Sequence, residues 1–542
     1  MSTPAFDLPP EVYLIGCEGP CATSGVPSAQ AMGGKAWNLL RMAQLALPVP
    51  PAFVIGTRYG AGTADGAIMA GRYLWTAGLR ALEHATGQGL GDARRPLLLS
   101  VRSGAAVSMP GMMETLLNIG LCDATVGGLL RRTGNPRLVW DAYRRLVAGY
   151  GETVAAIPAQ AFEAAAAAVV GPRAERELDF AELRAITQCF LRLYAERAGR
   201  PFPQDPAEQL GGAIAAVFGS WHAPKAREYR HLNGIDDALG TAVTVQSMVF
   251  GNAGGQSGAG VGFTRDPATG APGLWVDFLF DAQGEDVVSG RRSANGHDEL
   301  ASVLPQVWQE LGEAAQELEQ AFGDMQDFEF TVQEARLYLL QSRSGKRTRR
   351  AAARIALDLL DEGSIGPELA RERTHGLDRE ALAQPRVVAE GGEPLVPLGR
   401  AATASSGVAV GEIALDHARA AARNAAGMPV VLVRRDAETS DIAALELATG
   451  LLTQRGARTS HAAVVARQMG KVCLVGCAGL AIDEGARTIS IGATTLHEGD
   501  LITLDGNEGV VHAGAARVQV DYPQDLLARL AALRGSATAT PT

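Results

Sequence analysis

Gly450-Leu-Leu-Thr-Gln-Arg-Gly-Ala-Arg-Thr-Ser-His461-Ala-Ala-Val-Val-Ala-Arg467 reads as a strand, a glycine loop and the start of a helix. Gly450–Leu452 has the short apolar character of a buried strand. A glycine loop follows, and Thr459 or Ser460 is placed to cap a helix with His461 in its first turn. Helix-start N–H groups favour anions, so His461 is well placed to carry a phosphoryl group. The same residues also describe an idle histidine at a helix start.

Around this motif the pattern is β-rich. Val408–Ala414, Val430–Val433, Val472–Val475, Thr488–Ile491, Leu501–Leu504 and Val510–His512 read as short strands, with Asp505-Gly506 as a turn before the last. Leu526–Leu533 reads as a short exit helix, and the Ala/Thr/Ser-rich end from about Gly535 as a frayed tail. On the other side, the Gly/Pro-rich stretch Gly391–Gly399 is the best domain boundary. Before it come the Arg-rich Lys346–Arg354 and a helix. Farther back lie β-type runs at Ala242–Phe250, Gly260–Thr264, Trp275–Phe280, Phe328–Val332 and Leu337–Leu340, with a helical insert at about Glu299–Phe322. Leu116 to Leu239 reads as mostly helical. Toward the start, Val12–Gly16 and Leu97–Val101 read as strands, and Ala36–Leu45 as a helix stopped by Pro48, Pro50 and Pro51.

Composition sets bounds. The 542 residues carry 49 Lys+Arg against 59 Asp+Glu, a net charge of −10, and 47% are hydrophobic. That excludes global disorder and argues against a general nucleic-acid binder. Six cysteines are too few for a disulfide scaffold. Cys17/Cys21 and Cys473/Cys477 are read as buried free thiols. There is no signal-like start and no stretch approaching about 20 apolar residues, so the expectation is a cytoplasmic protein without a membrane span.

Four further segments can carry chemistry. Gly33-Gly34-Lys35 at a helix start offers N–H groups and a point charge to phosphate oxygens. The strand before Arg102 delivers a guanidinium suited to bidentate phosphate contact, or a plain surface arginine. Phe250–Gly260 holds five glycines, as a loop over a polyphosphate or a flexible hairpin would. In Asp327-Phe-Glu-Phe330, alternation puts Asp327 and Glu329 on one face of a strand, where the carboxylates repel unless a cation such as Mg²⁺ joins them. Gln341 and Arg343 lie on the strand that would pair next to it. No Walker A pattern is present.

Together the segments resemble the pyruvate, phosphate dikinases of the phosphoenolpyruvate-utilising family. The likeness is carried by Gly33-Gly-Lys-Ala-Trp-Asn-Leu39, Leu45-Ala-Leu-Pro-Val-Pro-Pro51, Ser100–Gly120, Val245-Gln-Ser-Met-Val-Phe-Gly-Asn252, Gly262-Phe-Thr-Arg-Asp-Pro-Ala-Thr-Gly270, Ala282-Gln-Gly-Glu-Asp-Val-Val288, Leu340-Gln-Ser-Arg-Ser-Gly-Lys-Arg-Thr348 and Thr459-Ser-His-Ala-Ala-Val-Val-Ala-Arg467. It runs from about Val12 to Gly514. Ser-Met-Pro-Gly-Met-Met and Gly-Lys-Arg-Thr favour the phosphate-using dikinase over the water-using synthase.

The resemblance implies a multidomain α/β and α+β architecture, with an ATP-grasp nucleotide domain followed by a swivelling β/β/α phosphohistidine domain. The expected limits are 1–345 for the ATP-grasp-like domain with its helical insert, 346–395 for a helical linker, 396–520 for the phosphohistidine domain, and 521–542 for an exit helix and disordered tail. The resemblance makes His461 the phosphorylated residue. Lys35 and Arg102 become phosphate contacts. Gly254, Gly255, Gly258, Gln341 and Arg343 become further ATP-binding residues, and Asp327 and Glu329 the Mg²⁺ pair. Arg455, Gly456, Thr459 and Ser460 become the histidine loop. ATP and phosphate are the implied substrates, a homo-oligomer is compatible, and neither nucleic acid nor membrane is implied.

Three departures stand out. The family's Gly-Gly-Met-Thr-Ser-His is Gly456-Ala457-Arg458-Thr-Ser-His461 here, and Arg458 is suited either to binding phosphate or to altering docking. Glu438-Thr-Ser-Asp-Ile442 looks shortened. The family's pyruvate-binding barrel does not follow, so a separate barrel chain is expected to receive the phosphoryl group. The alternatives are a kinase for another small acceptor, for which Lys346–Pro397 is too short to house a substrate domain, and a non-catalytic nucleotide-binding regulatory module.

Overall fold

The computed structural model describes residues 6–17, 21–22, 26–60, 71–107, 109, 113–171, 173, 175–288, 295–388, 396–436, 441–456, 458 and 461–535. By packing, the chain forms two units. One is Met1–Gly255 with Tyr338–Ser342, and the other is Gln256–Leu337 with Arg343–Thr542. The division falls at the glycine loop, inside the stretch 1–345.

The first unit is built on an antiparallel five-stranded sheet in the order Val12–Ile15, Ala52–Ile55, Ala242–Ser247, Leu99–Gly104, Thr115–Ile119. Its core joins Phe53, Leu99, Val101 and Val245 to aromatic residues from the helices, among them Tyr143, Tyr150, Phe190 and Phe218. The helices begin where local chemistry dictates. Asn135 accepts from the Leu138 N–H (3.0 Å) ahead of Pro136–Val154, with a proline at the first position. Asp179 and Glu182 form a reciprocal capping box for Phe180–Ala198.

Two expectations need correcting here. Thr115–Ile119 is a strand, not the start of the helical region: it pairs with Leu99–Gly104, a contact that local periodicity does not show. That strand also runs on through Arg102, paired with Thr244, so Arg102 lies within the sheet instead of in a loop beyond it.

The second unit opens with a sheet in which Asn295–Gly296, Pro272–Phe280, Gly258–Arg265 and Gln326–Gln333 follow one another in that order. Its central strand carries Gly258, Gly260 and Gly262 because rings from the neighbouring strands lie over them. A Cβ at these positions would come within 2.1 Å of Phe278, 2.5 Å of Phe330 and 2.4 Å of Phe328. The other face is different in kind. In register it sets Asp327 beside Phe263 and Trp275, and Glu329 beside Val261 and Asp277. One face is aromatic and the other bears three carboxylates.

Helices Arg349–Asp361 and Pro367–Arg373 lie in the stretch expected as a helical linker. Their Ile355, Leu359 and Ala370 share a core with Leu526, Leu530 and Leu533 of the helix Gln524–Gly535. A two-stranded ribbon, Gln384–Val387 antiparallel to Val518–Asp521, joins the segments leading into and out of the last region.

That last region has an eight-stranded sheet. At its centre Val408–Ala414, Val430–Arg434, Gly450–Thr453 and Val472–Val475 run parallel. Val431, Val433, Leu452 and Leu474 face the three-stranded meander through Leu480, Ile489 and Ile491. Val430, Leu432, Leu451 and Cys473 face helices through Ala420, Ala444, Leu445, Ala463 and Ala466. The layers are therefore small sheet, large sheet, helices. Cys473 and Cys477 are free and buried as expected, and burial pushes their thiols up to about 12 and about 11, whereas Cys17 is free but only half-buried.

Arg265 closes the second unit's first sheet. Buried at 3% exposure, it donates from Nε (2.9 Å) and Nη2 (2.7 Å) to Glu319 and from Nη2 to Glu362 (2.7 Å). Arg265→Met leaves Glu319 without its main countercharge. The expected cost is about 3–5 kcal/mol, the usual size for breaking a buried pair. It is read from the urea midpoint of the second unit, and a smaller loss is expected when Glu319→Gln is added.

Candidate functional site

In the first unit, Gly33 and Lys35 are brought against the strand of Arg102. Gly33 adopts φ +77°, and a Cβ there would lie 2.0 Å from the Gly104 carbonyl oxygen, so only glycine permits this approach. The Gly34 N–H donates to Ala105 O (3.0 Å), so one helix-start donor is committed to the backbone. Lys35 is exposed and Arg102 half-buried. Beyond the strand, Met109 is buried against Trp221 and Ala226 in a small satellite core. Ser108, Pro110, Gly111 and Met112 of the same run lie outside the described residues.

Gly254 and Gly255 meet no atom within 4 Å of a built Cβ, and Gly254 has φ +127°. They are the open part of the glycine loop. Gly258 is a strand residue under the Phe278 ring, which gives its missing side chain a packing cause. Tyr338–Ser342, with Gln341, belongs to the first unit, where Leu339 N–H donates to Pro48 O (2.8 Å) and Asn38 Nδ2 to Ser342 O (2.8 Å).

The acidic face of the second unit is the most developed electrostatic feature. Asp327 is buried at 3% exposure and accepts from Arg343 Nε (2.9 Å) and Nη2 (2.8 Å). Burial pushes the Asp327 carboxyl above the ordinary aspartate range. Arg343 opposes that rise, and Glu329 adds to it. The donor set fits Mg²⁺, which takes hard oxygen ligands and is usually held by one or two carboxylates plus substrate phosphates. Among the described residues no group of three or more metal-ligating side chains gathers.

His461 opens the helix His461–Gln468. The loop before it is tied down on its strand side, with Gln454 N–H to Arg434 O (3.0 Å), Arg455 N–H to Arg435 O (2.9 Å) and Thr453 Oγ1 to Arg455 O (2.5 Å). Gly456 takes φ +124°. Arg455 is exposed. Thr459 and Ser460 lie outside the described residues, as do Ala457 and most of the shortened segment before Ile442.

Three residues of consequence carried no assigned role in the sequence. Asp277 lies on the acidic face at 2% exposure. Trp275 precedes it by two on the same face. Arg467, at 2% exposure, donates to Ala404 O (2.9 Å), Lys346 O (3.4 Å) and Arg458 O (3.3 Å) and lies over the Phe263 ring at 5.6 Å. Burial lowers its guanidinium pKa, against the nearby Cys473, Asp327, Asp266 and Asp277. The available signal was a single acid in an otherwise apolar strand, Leu-Trp-Val-Asp277-Phe-Leu-Phe. An arginine in a last helical turn is too common to point anywhere.

Comparison with known proteins defines the class. A family of nucleotide-binding domains, described as "Pyruvate phosphate dikinase, AMP/ATP-binding domain", matches residues 76–297 and 294–364, and "PEP-utilising enzyme, mobile domain" matches 427–509. The first match takes in more than half of the chain, and the chain belongs to that pyruvate phosphate dikinase family. Among curated proteins, pyruvate, phosphate dikinase of Clostridium symbiosum is 41% identical over 497 residues, 90% of this chain and 57% of the relative. Pyruvate, phosphate dikinase 2 of Zea mays is 41% identical over 491 residues, 90% of this chain and 56% of the relative. The Rhizobium meliloti dikinase is 41% identical over 525 residues, 93% and 58%. The chain thus spans a little over half the length of the curated relatives it matches. Among the described residues no helix is long and apolar enough to cross a membrane.

Proposed function

We propose that this chain carries the nucleotide half-reactions of a pyruvate, phosphate dikinase. An ATP-grasp-like region holds ATP, and a swivelling domain carries the phosphoryl group on His461. The observation that supports this most is the buried Asp327–Arg343 pair with Glu329 two residues farther along the same strand face, in the same unit as the helix that His461 opens.

An imidazole nitrogen of His461 forms a bond to the β-phosphorus of ATP while the α–β bridging P–O bond breaks, and AMP leaves. An oxygen of inorganic phosphate then attacks the γ-phosphorus, the β–γ bridge breaks, and pyrophosphate leaves with the β-phosphoryl still on His461. Such transfers need positioning and charge neutralisation more than proton exchange. In the first unit Lys35 and Arg102 offer positive charge and Gly254 and Gly255 leave backbone open to phosphate oxygens, and in the second unit Arg343 offers positive charge. Asp327 and Glu329 would hold Mg²⁺, which when bound neutralises phosphate oxygens.

Onward transfer to pyruvate completes the proposed cycle. A separate barrel chain as the acceptor is the finer part of this proposal. In the relatives above, the matched region is part of one longer chain, so they lend no support to a second polypeptide. The test is direct. With ATP and Mg²⁺ the purified chain gains a phosphoryl or pyrophosphoryl adduct by intact mass, and pyrophosphate appears in solution only once phosphate is added. Orthophosphate release without an adduct would instead indicate simple ATP hydrolysis.

A further inference from the structure

We propose that Arg458 is a latch that docks the histidine loop onto the acidic face of the sheet, making it a positioning residue for phosphorylation of His461. The inference rests on the functional reading above.

The geometry has two parts. Arg458 Nη2 and Nε lie 3.2 Å and 3.4 Å from Asp277 Oδ1, and its guanidinium stacks 4.0 Å from the centroid of Trp275. Asp277 is almost wholly buried, so this charge pair forms where water screens it little. Cation–π stacking adds to it. The Arg458 carbonyl is held in turn by Arg467, whose guanidinium covers Phe263. Phe263 is the register partner of both Trp275 and Asp327, and Asp277 is one strand removed from Glu329 through Val261. The residue three before His461 is therefore fixed, by side chain and by carbonyl, on the face that bears the proposed metal pair.

The guanidinium that replaces the family's methionine is engaged with a buried carboxylate and an indole face, an arrangement that serves docking and not phosphate binding. The latch favours the docked state, in which the histidine meets nucleotide, and must open before the phosphoryl group is passed on.

The experiment uses the full chain with Arg458→Met, Arg458→Lys, Asp277→Asn and the Arg458→Met/Asp277→Asn double variant. Arg458→Met and Asp277→Asn each slow ATP-dependent phosphorylation by about tenfold, within the range of couplings between contacting residues, and the double variant is no slower than either. Arg458→Lys restores part of the rate. Phosphorylation by phosphoramidate, a small donor that needs no docking, is unchanged in all four. Hydrogen exchange of the His461–Gln468 amides is faster in Arg458→Met and in Asp277→Asn.

Unchanged rates and unchanged exchange in the single variants would overturn the latch. So would a rate loss in Arg458→Met alone with weaker ATP binding, since that marks a phosphate contact. If the wild type is never phosphorylated by ATP yet both variants exchange faster, the latch stands and the functional reading falls.

Discussion

His461→Ala abolishes the ATP-dependent adduct, a loss of more than about a thousandfold, because a covalent carrier has no substitute once its nucleophile is gone. The surrounding structure gives a reason to expect a clean loss. The helix is held through Ala463 and Ala466, both buried in the core formed with Val430, Leu432 and Cys473. ATP affinity and the urea midpoint are expected to match the wild type. An adduct that persists in His461→Ala would place the chemistry on another residue.

Asp327→Asn gives the second large effect. The carboxylate is buried, charged only against the pull of its surroundings, and paired with Arg343 on one side. Removing its charge slows phosphorylation by about a hundred- to a thousandfold, the range seen when one preorganised electrostatic group is lost. The Mg²⁺ requirement rises with it.

The pH dependence follows from the direction of the shift. Because the folded pKa lies above the unfolded one, the native state binds the extra proton between the two. The contribution to stability is present below the unfolded value and is lost as pH rises through the folded one. Mg²⁺ with nucleotide offsets that loss, so metal binding tightens as pH rises through the folded pKa and then levels. Calorimetric titration with Mg²⁺ and a non-hydrolysable ATP analogue should show this rise in the wild type and a flat profile in Asp327→Asn.

Much of this was legible because it is local. Strand alternation placed Asp327 and Glu329 on one face before any pairing was known, and the apolar runs at Val408–Ala414 and Val472–Val475 are strands with those limits. The helix opened by His461 could be read from the glycine loop and the Thr-Ser pair ahead of it. What escaped was non-local. Gly258 suggested a ligand loop in sequence, and only the Phe278 ring, packed from the next strand, explains it. Thr115–Ile119 is five residues long and abuts a helix, so its identity rests on pairing with Leu99–Gly104. The stretch expected as a linker shares its core with the helix Gln524–Gly535, about 160 residues away, a contact no local pattern encodes. Arg458 was visible as a departure, but its meaning needed Asp277 and Trp275, which lie more than 180 residues earlier.

In the proposed reaction His461 takes its phosphoryl group from the β position of ATP. The most direct test follows radioactive phosphorus placed separately at the β and γ positions, with Mg²⁺ and inorganic phosphate present. The account predicts β label retained on wild-type protein and absent from His461→Ala, with γ label leaving in pyrophosphate. Retention of γ label alone, with ADP as the co-product, would contradict it and make this chain an ordinary γ-phosphoryl kinase.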